Sequence, residues 1–172
     1  MKTVYSFKSG LLFVLLCLGA GLNAQEQKTI LYTPAEISPN EIGHLGTPQI
    51  TANAFRLYQI DVEALRVQLT GIAQREDNSK GFTALISFPH PDGSLHQYQA
   101  LGNRTLSAEL GASFPEIKTY DAADTEGRKE KCDITPKGLH AMIFQPGEST
   151  IFIDPIIDGN DQYYIVYYKK DF

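Results

Sequence analysis

Four runs of β-branched and aromatic residues fill residues 131–172, and the links between them are too short for anything but chain reversal. Cys132-Asp-Ile-Thr135, Leu139-His-Ala-Met-Ile-Phe144, Thr150-Ile-Phe-Ile-Asp154 and Gln162-Tyr-Tyr-Ile-Val-Tyr-Tyr168 are separated by Pro-Lys-Gly, Gln-Pro-Gly-Glu-Ser and a Pro/Asp/Gly/Asn turn. Strands joined in this way pair with their neighbours in antiparallel fashion, which predicts a closing meander. In the last run Tyr163, Ile165 and Tyr167 alternate with Tyr164, Val166 and Tyr168, so both faces of the strand are bulky. A strand of that kind needs cover on both sides, and these six residues are the candidate partner-facing set. The run ends within four residues of Phe172, which reads as a domain boundary.

The first 24 residues have the form of an export leader. Lys2 and Lys8 supply positive charge, residues 11–18 an apolar run, and Leu22-Asn23-Ala24 a cleavage site. The apolar run is too short to span a bilayer, so no membrane anchor is expected, and the destination is secreted or periplasmic. Removal of the leader takes the formal charge from −5 to −7 and leaves 148 of the 172 residues, enough for one domain with a core. The acidic balance, without a basic stripe, argues against nucleic acid. Of two cysteines only Cys132 lies beyond the leader, so the mature chain has no internal disulfide and relies on packing.

Residues 25–53 hold Pro34, Pro39 and Pro48 and read as an irregular arm. Residues 54–60 read as a strand with Phe55, Leu57 and Gln59 on one face. Asp61 then caps a helix whose stripe is Val62, Leu65, Leu69 and Ile72. A charged loop spans 74–80. Two strands follow, flanking Pro89-His-Pro-Asp-Gly93, where proline presets the first turn angle and glycine accepts a positive φ. Residues 106–112 suit one or two helical turns, residues 114–120 are extended, and the charged stretch 121–131 reads as a mobile loop. The expected fold over 54–172 is α+β: mostly antiparallel sheet, a hairpin plus a C-terminal meander, with one or two short helices packed on it.

The sequence offers no catalytic constellation. His44, His90, His96 and His140 are not at metal-ligand spacing, although His90 and His96 lie on opposite arms of one hairpin. His140 begins a strand and reads as a half-buried core residue. Neither a Gly-x-Ser-x-Gly elbow nor a phosphate loop occurs, so a non-enzyme without a cofactor is expected. Asn103-Arg104-Thr105 fits a glycosylation acceptor. Cys132 has two readings: a thiolate able to occupy a zinc ion's open position, or a small apolar residue at a strand edge. Asp133 faces the other way and is a second zinc-masking candidate.

Taken in order, the motifs resemble the N-terminal propeptide of secreted reprolysin-like zinc metalloproteases from Bacteroidota-type bacteria. The resemblance rests on Leu57-Tyr-Gln-Ile-Asp61, Ile86-Ser-Phe-Pro-His-Pro-Asp-Gly93, Phe114-Pro-Glu-Ile-Lys-Thr-Tyr120 and Ile134-Thr-Pro-Lys-Gly-Leu-His-Ala-Met-Ile143. Ile153-Asp-Pro155 and Tyr164-Ile-Val-Tyr-Tyr-Lys-Lys-Asp-Phe172 complete it, so it covers about residues 54–172. Cys132-Asp-Ile-Thr135 is similar to the Cys-x-Val-Thr part of the cysteine switch in such propeptides. The resemblance implies a prodomain that aids folding and masks the cleft of a metalloprotease catalytic domain. That domain would lie in cis if the gene continues and in trans otherwise, and the zinc-binding His-Glu-x-x-His motif expected of it is not in this chain. The alternative is a stand-alone secreted β-rich binding module for protein or glycan.

Overall fold

A computed structural model of the chain describes residues 31–69, 72, 84–103 and 106–172. The expected leader, the 74–80 loop and the Arg104-Thr105 part of the acceptor motif lie outside them. In chain order the elements are β1 (Tyr32–Pro34), α1 (Pro39–Leu45), β2 (Phe55–Ile60) and α2 (Val62–Leu69), then β3 (Ala84–Pro89) and β4 (Leu95–Asn103). They continue with α3 (Ala108–Ser113), β5 (Lys118–Ala123), β6 (Lys129–Thr135), β7 (Gly138–Phe144), β8 (Ile151–Ile157) and β9 (Asn160–Tyr168). The architecture is therefore α+β and mostly antiparallel, as the sequence predicts.

All nine strands form one sheet in the order β1-β2-β9-β8-β7-β6-β5-β4-β3. From β3 to β9 each strand pairs with the next in a meander, with α3 between β4 and β5; β2 pairs with β9, and α2 follows β2 in the chain. The two ends meet. Tyr32 of β1 packs on Phe88 of β3, and Arg56 of β2 donates to the carbonyls of Pro91 and Asp92 in the β3–β4 turn at 2.8 and 3.3 Å. A sheet whose opposite ends touch must be rolled, so its inward side chains make one shared core.

Period-2 alternation decides which residues enter that core. Tyr58, Phe88, Tyr98, Tyr120, Ile134, Leu139, Ile153 and Tyr164 represent the eight longer strands, all at 5% exposure or less. The helical stripe Val62, Leu65, Leu69 and Ile72 joins them. Asp61 caps α2 as expected, its carboxylate accepting from the Ala64 amide at 2.8 Å. The hairpin turn also forms as read: Gly93 has φ 93, a conformation that glycine takes without strain.

Two expectations fail. Residues 121–131 are not one mobile loop. β5 extends to Ala123 and β6 begins at Lys129, with Lys129 and Lys131 facing solvent while Glu130 faces the core. The charge content hid a strand because only one face of it is wet. The arm is also structured. Ser38 and Glu41 form a capping box for α1, and Ile42 packs with Ile156 and Ile157 on the outside of the sheet. Gly46 closes that helix at φ 148, where an added Cβ would stand 3.0 Å from Ile157. Ala52 then covers Ile165 and Tyr167, while the amides of Gln49 and Asn53 donate to the carbonyls of Ile156 and Asp171.

Candidate functional site

The six partner-facing candidates of the last strand are mostly enclosed by the domain's own chain. β9 is an interior strand between β2 and β8, so it has no unpaired edge. Tyr164 and Val166 point into the core, and the Tyr164 hydroxyl accepts the buried Leu139 amide at 3.1 Å. That amide lies beyond the last β7–β8 ladder pair, Ala141–Ile153, and Pro155 farther along β8 has no N–H to extend the pairing. On the outer face Ile165 and Tyr167 lie under Ala52, and Tyr163 packs against the cluster around α1. Tyr168 is partly buried, with Lys170 over its ring. The bulk on both faces is real, but the cover comes from the arm.

The two zinc-masking candidates separate. Cys132 is 2% exposed and faces the core beside Glu130. Burial and the neighbouring carboxyl push its thiol far above the ordinary range, so it is a neutral thiol and not a thiolate offered to an external metal. The reading as a small apolar residue fits this position. Asp133, one residue on, projects outward and is exposed. Pleating alone produces this split.

Asp133 lines an open surface groove. This open groove of about 470 Å³ lies on the outer face of β5–β9. Register builds it in two rows. One row runs Thr119, Asp133, His140, with Asp154 adjoining on β8; the other runs Asp121, Lys131, Met142, Phe152, Tyr167. The second row is apolar at its centre: Met142 is 36% exposed, and Phe152 and Tyr167 stack at 5.6 Å. Phe172 also stacks on Tyr167, at 6.1 Å.

His140 was expected as a half-buried core residue; it is half-exposed, but the alternation of β7 sends Leu139, Ala141 and Ile143 inward and His140 outward. Its Nδ1 lies 2.8 Å from Asp154, and that hydrogen bond raises its pKa above 6.5 despite partial desolvation. The Tyr167 hydroxyl donates to the second Asp154 oxygen at 3.3 Å, and burial with the nearby carboxylate pushes it up to about 12. Asp121 and Lys131 are paired at 3.5 Å. Asp133 makes no hydrogen bond or ion pair among the described residues, and partial desolvation raises its pKa. The groove thus offers a carboxylate that has no direct partner among the described residues, and an imidazole, beside an apolar floor. Its proton-bearing groups are joined, since the Tyr167 hydroxyl and His140 both bond Asp154.

The other histidine pair does come together. His90 and His96 stack at 4.0 Å, but each is occupied. His90 Nε2 bonds the Tyr98 hydroxyl at 2.8 Å, and burial lowers its pKa to about 4. His96 Nδ1 accepts from Arg128, which Asp124 holds at 2.6 Å. This is a polar lock on the β3–β6 end of the sheet. Among the described residues no group of three or more His, Cys, Asp or Glu is arranged to hold a metal.

The sequence reading missed Glu130, Arg128 and the His140–Asp154 pair. The alternation of charge with buried positions in residues 129–135 was the available signal for Glu130; His140–Asp154 follows from register, which spacing alone does not fix. Compared with known protein families, curated proteins and solved structures, the chain matches none. No described helix is long and apolar enough to cross a membrane.

Proposed function

We propose that the chain is an exported, non-catalytic prodomain that masks the cleft of a secreted zinc metalloprotease, and that the masking surface is the groove of β5–β9. The observation that carries the reading is the outward placement of Asp133 and His140 beside exposed Met142, next to the part of β8–β9 that the arm covers. The motif order described above supplies the identity of the partner. Asp133, and not Cys132, is the group a zinc-bearing cleft can reach, since a carboxylate oxygen is a competent zinc ligand. A rigid sheet suits this task, because its side chains need little ordering on contact.

The test is inhibition of a reprolysin-type catalytic domain cleaving a fluorogenic peptide, with the full-length chain added at micromolar concentration. Loss of hydrolysis is expected, with Asp133→Asn and Met142→Glu both weakening it. Unchanged hydrolysis at that concentration rejects the masking role. The second reading is a free-standing secreted module for protein or glycan. It is favoured by the Phe152–Tyr167–Phe172 stack, whose last ring is 72% exposed and offers a platform for a sugar face.

A further inference from the structure

We infer that the groove selects a protein segment carrying an arginine or lysine two residues from an apolar side chain in an extended chain. The inference rests on the reading of this groove as the binding surface and adds the chemistry of its occupant.

The charges come first. Among the described residues three carboxylates face two bases: Asp121 lies 3.5 Å from Lys131 and Asp154 lies 2.8 Å from His140, which leaves Asp133 without a directly bonded base. It stands across from His140 in the β6–β7 register. That ring's Nδ1 is bonded to Asp154, and both His140 and Lys131 act on Asp133 through space, without a hydrogen bond among the described residues. A guanidinium or ammonium is the complement the row lacks, and an incoming carboxylate or phosphate meets net repulsion. Partial burial of Asp133 strengthens this preference, because a desolvated carboxylate gains more from a cation than a fully hydrated one.

The spacing comes second. His140 and Met142 are alternate residues of one strand, so the charged row and the apolar row lie about 6.6 Å apart along it. An extended partner repeats the same distance between its own alternate side chains. A chain laid along β7 therefore places an apolar group over Met142 and Phe152 when its basic group reaches Asp133. The arm covers the Tyr167 end of the apolar row and packs against Phe152, and it leaves Met142 and the charged row open.

The experiment is titration of the ¹⁵N-labelled full-length chain, followed by NMR, with three capped hexapeptides. These are acetyl-Gly-Gly-Leu-Gly-Arg-Gly-amide, the same peptide with Glu for Arg, and the same with Gly for Leu. The first peptide is expected to shift amides within 119–121, 131–133, 140–142 and 152–154, and to bind about fivefold tighter than the glutamate peptide. Asp133→Asn, an exposed change that leaves the core untouched, is expected to erase that difference. Equal affinities, shifts centred elsewhere, no binding by any peptide, or an unaltered preference in Asp133→Asn overturns the inference. Inhibition of the protease without a preference for arginine refutes this rule and leaves masking intact. A preference for arginine without inhibition does the reverse.

Discussion

Tyr32 of β1 meets Phe88 of β3 with ring centroids 6.2 Å apart, although these strands are the opposite ends of a nine-strand sheet. The seam is closed by side chains, with Arg56 reaching the β3–β4 turn beside it. β1 is only three residues long and is held by one ladder, so the ring at Tyr32 accounts for much of its attachment. Tyr32→Ala is expected to cost about 3–5 kcal/mol in urea unfolding, the usual loss for a buried aromatic ring. Tyr32→Phe should be neutral or slightly stabilising, because the hydroxyl is buried without a hydrogen bond among the described residues. A seam that tolerates Tyr32→Ala without loss is not closed by that ring.

Glu130 and His90 give the stability profile its two edges. Glu130 is 1% exposed; burial raises it from 4.5 to about 8, so the folded state holds a proton that the unfolded state releases. Its favourable share is complete below pH 4.5 and is lost as pH climbs toward 8. His90 is depressed from 6.5 to about 4, so its share is present above pH 6.5 and is lost on acidification toward 4. Between 4.5 and 6.5 the two slopes oppose each other, and chemical denaturation should find a near-plateau there with a decline above it. Glu130→Gln should remove most of the alkaline decline and gain on the order of 4 kcal/mol at pH 9 relative to the unsubstituted chain. An equally steep alkaline loss in Glu130→Gln assigns the decline to other groups.

Much of the scaffold was legible because local rules and tertiary packing agree. Pro91-Asp92-Gly93 marked the hairpin, Asp61 the helix start, and Val62, Leu65, Leu69 and Ile72 the buried stripe. The site was less legible. Bulk on both faces of residues 163–168 correctly announced double cover, but sequence does not say whose chain supplies it. Ala52, a single small side chain in a proline-rich arm, carries no periodic signal, yet it seals Ile165 and Tyr167. His140 begins a strand and on that ground reads as a half-buried core residue. Only the pleat, fixed once β6 and β7 are in register, turns it toward Asp133.

The Cys132 thiol should be inert while the chain is folded. It is enclosed, protonated and adjacent to Glu130 on the inward face of β6. Ellman's reagent at pH 8 is expected to label it only after denaturant is added, with native labelling limited by opening of the roll. Cys132→Ala should cost about 1 kcal/mol or less, since the site is that of a small apolar group, and should inhibit the protease as well as the unsubstituted chain. Rapid native labelling, or a loss of inhibition in a variant that remains folded, restores the thiol as a candidate zinc ligand.

The arm is the remaining element whose removal separates structure from binding. Ala52 is 6% exposed against Ile165 and Tyr167, so Ala52→Glu places a carboxylate in an apolar contact. Overpacking and a charge in that contact together should cost about 1–3 kcal/mol, taken by peeling the arm more cheaply than by unrolling the sheet. Hydrogen exchange should then quicken at the Gln49 and Asn53 amides, which hold the arm to Ile156 and Asp171, while the Leu139 amide beneath Tyr164 stays protected. A dye that reports apolar surface should bind the variant at the uncovered Tyr167. If the Leu139 amide loses protection in step with Gln49 and Asn53, arm and sheet are one cooperative unit, and the arm is part of the fold and not a separable cover.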